Sequence, residues 1–307
     1  MKVWRAVGSR FGYALLSLLL LSVVVFAGVR ITGNPVSVLL PENATPDQIA
    51  LLTRQLGLDQ PLYVQYLKLL DNLLHGDLGT SYRFGEPVSS LIWSRLPATV
   101  ELAGSALVLI LAIGVPFGIV AAYRQGGWID GVIRGIAAIG QSAAPFWVGL
   151  LLIFFVSIRL GALPSGGRGG ITHLILPALT LSLPGIAGVS RLVRSSMIEV
   201  LQSDYVTFLR IKGLPEWVVV CKHALRNAGL ASLTYLGLVA ASLLTGTIVV
   251  ENVFIWPGVG QLVSQAITGR DFAVVEAILL MFAVIYVLAN LVTDLLCLAL
   301  NPRLRVE

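Results

Sequence analysis

The sequence predicts an all-α integral membrane protein with six membrane-spanning helices. Hydrophobic residues make up 56% of the 307 residues and charged residues only 12%, and the mean hydropathy is +0.87. These values lie far from those of soluble domains. Several apolar segments also reach the roughly 20 residues that a helix needs to cross about 30 Å of hydrocarbon.

Six segments are predicted to span the membrane, and two of them need comment. Lys2, Arg5 and Arg10 precede the first, as in a secretory signal, but its apolar core is longer than a signal core, which predicts an uncleaved helix. Pro177 and Pro184 interrupt the fourth, and membrane helices tolerate such prolines. The six predicted spans are Phe11 to Val29, Thr99 to Ala122, Ile133 to Ile158, Leu174 to Val193, Leu230 to Val250 and Ala273 to Leu300.

The distribution of positive charge predicts the orientation. With the N-terminus inside, most of the 21 lysines and arginines fall on the cytoplasmic side of the six spans. Such an excess marks the cytoplasmic face, so both termini are predicted to be cytoplasmic. The same asymmetry accounts for the net charge of +5 without a nucleic-acid partner.

The first long connection, residues 30–98, is predicted to be external and to carry two amphipathic helices. Thr45 fits an N-cap with Pro46 at the first helical position, and Gly57 ends the first helix. A second helix follows Pro61. Both helices are expected to lie along the outer membrane surface or against the protein. We therefore divide the chain into an N-terminal helix with this region, residues 1–94, and a core, residues 95–307.

The second long connection is a polar interruption between the fourth and fifth spans, DYVTFLRIKGLPEWVVVCKHALRNA. A helix is predicted from Met197 to Ile211, a break at Gly213, and a second helix from Pro215 at its first position toward Asn227. Two helices joined by a glycine turn make a compact knob, and the knob (residues 197–227) is predicted to be cytoplasmic.

Catalytic and metal-binding signatures are absent from the sequence. No lysine follows a glycine, so the chain has no phosphate loop of the G-x-x-x-x-G-K-[ST] type. The two cysteines and three histidines are too scattered for a metal cluster or a disulfide argument. Ser142 is interpreted as a helix-packing residue. An intramembrane hydrolase that uses Ser142 remains the alternative, and it would need a base beside this serine.

An ion-coupled secondary carrier is the other alternative from a different class. Such a carrier needs ionisable groups within the membrane, whereas the acidic residues here fall near predicted helix ends and are interpreted as interfacial. These residues are Glu101, Glu251, Glu276 and Asp294. The small-residue pairs Gly114 with Gly118 and Gly131 with Gly135 match G-x-x-x-G, although 31 glycines produce such matches by chance.

The polar interruption resembles the coupling loop, or EAA motif, of the binding-protein-dependent ABC transporter permeases of the dipeptide, oligopeptide and nickel group. The resemblance covers nearly the whole chain, in order, through TGNPV, QLGLDQPLYVQYLKLLDNLLHGDLGTSY, RLPATVEL and ENVFIWPGVGQLVSQAITGRDFAVV. It implies a type I ABC importer fold in a bacterial inner membrane. It also implies as partners a homologous second permease forming a heterodimer, two ATPase subunits, an external or periplasmic solute-binding protein and membrane lipid.

The resemblance also implies which residues couple the permease to its ATPase. Gly213 is expected to form the turn, Tyr205 and Phe208 to dock, and Arg210 and Lys212 to supply complementary charge. Leu209 and Ile211 depart from the family's usual small alanines. The full set of coupling candidates is Asp204, Tyr205, Phe208, Arg210, Lys212, Gly213 and His223.

The loop before the last span is the second candidate site. Trp256, Pro257 and Gly258 are expected to form a rigid turn. The resemblance implies that this loop, with Arg270 and Asp271, and residues 30–98 shape the surface for the binding protein; a structural turn that positions the fifth span remains the alternative. RDFAVV lacks the proline that the family often has there. The resemblance implies no catalysis and no cofactor bound by this chain, with ATP and Mg²⁺ in the partner ATPases. It favours a short-peptide cargo, with nickel complexes, glutathione and opine-like conjugates open.

Overall fold

The computed structural model describes residues 2–32, 36, 44–55 and 57–300, and within that part the chain is helical, with a single isolated β-bridge between Thr80 and Pro87 and no strand. Helix α9 starts with Glu216–Val218, continues through a π-helical Val219–Ala224 and ends with Leu225–Val253. The helices are α1 Lys2–Thr32, α2 Pro46–Gln55, α3 Leu62–Leu74, α4 Val88–Tyr123, α5 Trp128–Ser142, α6 Pro145–Arg159, α7 Ile171–Leu201, α8 Asp204–Ile211, α9 216–253, α10 Val259–Thr268 and α11 Phe272–Leu300.

Among the described residues, the helices supply six candidate membrane spans if the bent pair α5 and α6 counts as one. Helices α1, α4, α7, α9 and α11 are each long and apolar enough to cross a bilayer, and α5 and α6 meet at an angle of 106°. The third span, predicted as one helix, is thus broken. Ala143 and Ala144 adopt extended conformations there, because the ring of Pro145 disfavours a helical residue before it.

Helices α4 and α7 extend well beyond the predicted spans. Helix α4 begins at Val88 rather than Thr99 and carries Pro97 inside it. Helix α7 continues through Pro177 and Pro184 to Leu201. The apolar segments therefore predicted where the spans lie. They did not predict how far the helices extend, because the residues at the helix ends are more polar.

Helix α7 is the centre of the bundle and packs against α4, α5, α6 and α9. The contact between α4 and α7 depends on glycine: a Cβ at Gly118 would lie 2.6 Å from the Cβ of Val193, and one at Gly114 would lie 3.2 Å from that of Val189. Gly131, in the other G-x-x-x-G pair, has no such neighbour within 4 Å. The first pair therefore brings two helices together.

A partly buried ion pair joins α5 to α7. The guanidinium of Arg194 donates to both carboxylate oxygens of Asp130 at 2.6 and 2.8 Å. Asp130 is 1% exposed, and the backbone N–H of Gly126 donates to it at 3.1 Å. Arg134 lies 3.4 Å from the same carboxylate. Such a bidentate pair fixes the relative orientation of the two helices.

The connection between α1 and α4 folds as predicted where it is described. The backbone N–H of Gln48 donates to the Thr45 hydroxyl at 3.4 Å, and that of Thr45 donates to Gln48 Oε1 at 3.0 Å, which is a capping box. Leu56, directly before Gly57, lies outside the described residues. Helix α3 rests on α1, because the Tyr66 ring lies 5.5 Å from that of Phe26. Helix α1 in turn packs on α11.

Candidate functional site: the knob and the loop at the far end of α9

The first half of the knob is two helices rather than the predicted one. Helix α7 ends at Leu201 and α8 starts at Asp204. Between them Ser203 is extended, and its hydroxyl donates to the carbonyl of Val200 at 2.6 Å. A serine that bonds its local backbone competes with helical hydrogen bonding, which explains the interruption. The break leaves α8 as a separate helix.

The predicted turn is at Gly213. This residue has φ +79°, a left-handed conformation that favours glycine, and its N–H donates to the carbonyl of Arg210 at 2.9 Å. A Cβ here would meet no other atom within 4 Å. Pro215 is the cap before α9, one position earlier than predicted, and Glu216 is the first helical residue.

An ion pair braces the turn. Arg210 donates to Glu216 from Nη2 at 2.7 Å and from Nε at 3.2 Å, joining α8 to α9. The hydrogen bond to Glu216 raises the pKa of the Arg210 guanidinium above its usual value. Arg210, expected to supply charge to a partner, is thus paired inside the knob. Lys212 is stacked 4.6 Å above the ring of Phe208.

The knob exposes several large apolar residues. Val206 is fully buried and anchors α8 to the protein. Three residues of α8 and one at the start of α9 are 41, 54, 78 and 70% exposed, and we call them the apolar face of the knob: Tyr205, Phe208, Ile211 and Trp217. Exposed aromatic clusters are typical of protein interfaces.

The other coupling candidates flank this face. His223 lies 6.5 Å from the ring of Tyr205, and Asp204 is exposed in the first turn of α8, where negative charge is favourable. Of the two departures from the family pattern, Leu209 is half-buried and Ile211 is exposed. Trp217 was missed, although an aromatic residue directly after Pro215 and Glu216 was a usable signal.

The loop at the far end of α9, residues 254–258, is fixed by buried contacts with the helices. Trp256 is fully buried, and its indole N–H donates to the carbonyl of Ala98 in α4 at 2.8 Å. A Cβ at Gly258 would lie 2.4 Å from the Glu251 carboxyl group. The rigid turn predicted at Trp256 to Gly258 thus depends on an indole anchor and on a glycine that leaves room for a carboxylate.

Glu251 lies near the end of α9, as the sequence indicates, but the protein encloses its carboxyl group. Its side chain is fully buried. Thr99 of α4 donates to Oε1 at 2.7 Å, and the backbone N–H of Gln261 in α10 donates to Oε2 at 2.9 Å. The motifs RLPATVEL and ENVFIWPGVG therefore meet at this carboxylate.

Asp271 links the start of α11 to the loop before α4. It is 1% exposed, and it accepts from the Ser81 hydroxyl at 2.5 Å and from the Arg83 N–H at 3.3 Å. Burial, followed by the charge of Asp271, raises the pKa of Tyr82. Arg270, at φ +52°, is exposed. Among the five predicted docking residues, only Pro257 and Arg270 therefore reach the surface, and Trp256, Gly258 and Asp271 support them from below.

No group of three or more histidine, cysteine, aspartate or glutamate side chains able to hold a metal occurs among the described residues. Ser142 is the last residue of α5, at the bend before α6. Helix α9 thus has an exposed apolar surface at its start, in the knob, and a loop fixed by buried hydrogen bonds at its end.

Comparison with known proteins identifies the family. The model of the family described as binding-protein-dependent transport system inner membrane component matches residues 114–306, and the model of the corresponding N-terminal region matches residues 3–103. The chain belongs to this family. The resemblance found in the sequence is thereby confirmed.

This transport component has curated relatives along nearly its whole length. It is 38% identical to the dipeptide transport system permease protein DppB of Alkalihalophilus pseudofirmus, covering 95% of this chain and 99% of that one. It is 40% identical to the probable D,D-dipeptide transport system permease protein DdpB of Escherichia coli, covering 89% of each. It is also 40% identical to the glutathione transport system permease protein GsiC of Salmonella choleraesuis, covering 95% of each.

The fold of this transport component matches a solved transporter. The inward-facing methionine ABC transporter MetNI aligns with a TM-score of 0.60 and 18% identity, over 69% of this chain and 97% of that one. At this identity the match shows the fold alone. It confirms the prediction of an ABC importer permease fold.

Proposed function

We propose that the chain is a permease subunit of an ATP-driven importer of short peptides and that the knob couples it to an ATPase. The apolar face of the knob carries this proposal. Four large side chains are exposed there, three on α8 and Trp217 at the start of α9, and the turn between these helices is fixed by Gly213 and by the Arg210 to Glu216 pair. Leaving such side chains in water is unfavourable, so the face calls for a partner.

The continuity of α9 supports a mechanical role. The knob's second helix and the fifth span are one helix, about 55 Å long at 1.5 Å per residue. ATP-driven closure of two partner ATPases would move the knob, and α9 would carry that movement across the membrane. The pathway, shared with a homologous second permease, would then face outward, and hydrolysis would reset it.

The proposed coupling role implies an orientation of the chain in the membrane and a docking surface on the side opposite the knob. The knob faces the cytoplasm of a bacterial cell, with both termini on that side. The loop at the far end of α9 faces outward, where Pro257 and Arg270 contribute to the surface for a solute-binding protein, supported by Trp256, Gly258 and Asp271 from beneath. The chain itself contributes pathway and coupling, and ATP with Mg²⁺ belongs to the ATPases.

Short peptides are the favoured cargo. Two relatives are named for dipeptides and a third for glutathione, which is itself a small peptide. Nickel complexes and opine-like conjugates are the alternatives within the same importer class.

Uptake by the reconstituted transporter tests the proposal. The permease pair, ATPases and binding protein would be placed in proteoliposomes with ATP on the ATPase side. We expect ATP-dependent accumulation of a labelled dipeptide, reduced by unlabelled dipeptide and unaffected by a nickel chelate. Uptake driven by a proton or sodium gradient without ATP would contradict the importer class and favour a secondary carrier. Competition by the nickel chelate alone would contradict only the cargo.

A further inference from the structure

Glu251 is a buried carboxylate in a helix that starts at the knob. It lies near the end of α9, in the turn before the loop. Burying a polar side chain is costly unless hydrogen bonds compensate for its lost hydration. Its position therefore demands donors, and the structure supplies them from two other helices.

The donors form a continuous chain. The backbone N–H of Val259 donates to Thr99 Oγ1 at 2.8 Å, and the Thr99 hydroxyl donates to Glu251 Oε1 at 2.7 Å. The N–H of Gln261 donates to Oε2 at 2.9 Å. Space for the carboxylate exists because Gly258 and Gly260 lack side chains: a Cβ there would lie 2.4 and 2.9 Å from its nearest atoms. Helices α4, α9 and α10 are thus joined at one carboxylate.

We infer that Glu251 and Thr99 form a joint that passes movement of α9 to α4 and to the loop, so that both are positioning residues for transport. This inference rests on the proposed coupling function of the knob. A buried polar group that loses its hydrogen-bond partner raises the free energy of the protein. Movement of α9 must therefore either carry α4 and α10 with it or break these bonds. Without the joint, the knob would move while the loop stayed behind.

Three threonine substitutions isolate the joint. Thr99→Val keeps the shape of the side chain but removes the hydroxyl, whereas Thr99→Ser keeps the hydroxyl. Thr180→Val is the matched control, because Thr180 is equally buried but its hydroxyl bonds only within its own helix, to Leu176 at 2.8 Å. Basal ATP hydrolysis, hydrolysis stimulated by the binding protein, and peptide transported per ATP would be measured on the assembled transporter.

We expect Thr99→Val to lower stimulation and transport per ATP by about tenfold or more, within the range of coupling between linked sites, with basal hydrolysis unchanged. Thr99→Ser and Thr180→Val should behave as the wild type. Normal coupling in Thr99→Val would overturn the inference, as would equal loss in Thr180→Val. If Thr99→Val fails to assemble, Glu251→Gln takes its place, and failure of both to assemble would also overturn it by showing a purely structural role.

A knob variant, Phe208→Ala, separates this inference from the proposed function. Uncoupling by Phe208→Ala with normal Thr99→Val would refute the joint alone. Normal coupling in Phe208→Ala would instead refute the role of the knob.

Discussion

Replacing Gly213 with proline should abolish coupling without preventing membrane insertion. The residue has φ +79°, and proline fixes φ near −65°. Proline would also remove the N–H that donates to the Arg210 carbonyl at 2.9 Å, and it would disfavour the helical conformation of Lys212 before it. The turn between α8 and α9 therefore cannot form, and the apolar face is dispersed.

Alanine at the same position gives a graded test. Because a Cβ at Gly213 meets nothing within 4 Å, the cost is that of the left-handed conformation, about 1–2 kcal/mol. That amounts to a factor of about 5 to 30 in the population of the native turn. Stimulated ATP hydrolysis in proteoliposomes should therefore fall partly with Gly213→Ala and completely with Gly213→Pro. Gly104→Ala, within a helix and also without neighbours within 4 Å, is the control. Wild-type stimulation with Gly213→Pro would refute the reasoning.

Three further changes test other contacts. Arg210→Glu should reduce stimulated hydrolysis modestly, because a half-exposed pair contributes no more than about 1 kcal/mol. The double variant Arg210→Glu with Glu216→Arg should restore hydrolysis by re-forming the pair. If it does not, Arg210 acts on the partner rather than on Glu216. Asp130→Asn should lower the unfolding temperature in detergent, since it weakens a pair in which Asp130 is 1% exposed and Arg194 is 22% exposed. Arg168→Gln, in the more exposed pair with Glu101, should not lower it. Gly258→Ala, whose Cβ would lie 2.4 Å from the Glu251 carboxyl group, should also lower that temperature, and an unchanged value would contradict the packing described for the loop.

Features with local causes were predictable from the sequence. Thr45 and Pro46 specify a helix start through groups a few residues apart, and Gly213 ends a helix because its own backbone conformation requires glycine. The spans were located because apolar length is a property of each segment. The bend between α5 and α6 was missed because hydropathy carries no information about chain direction, although Pro145 marked it.

Features with distant causes were not predictable. Glu251 near a helix end suggests an interfacial acid, but its partner Thr99 is 152 residues away in the sequence, and only tertiary packing brings the two together. The burial of Trp256 and Asp271 depends likewise on α4 and on the loop before it. The pairing of Arg210 with Glu216 spans only six residues, yet it required the turn geometry to be known.

Photo-crosslinking from the knob tests the central claim most directly. A benzophenone amino acid in place of Phe208, which is 54% exposed, would be compared with the same group in place of Phe146 on α6, which is 51% exposed. In the assembled, actively transporting complex, the account predicts that the group at position 208 captures an ATPase subunit and that the group at position 146 does not. An active complex in which position 208 captures no ATPase, or in which both positions capture it equally, would contradict the account.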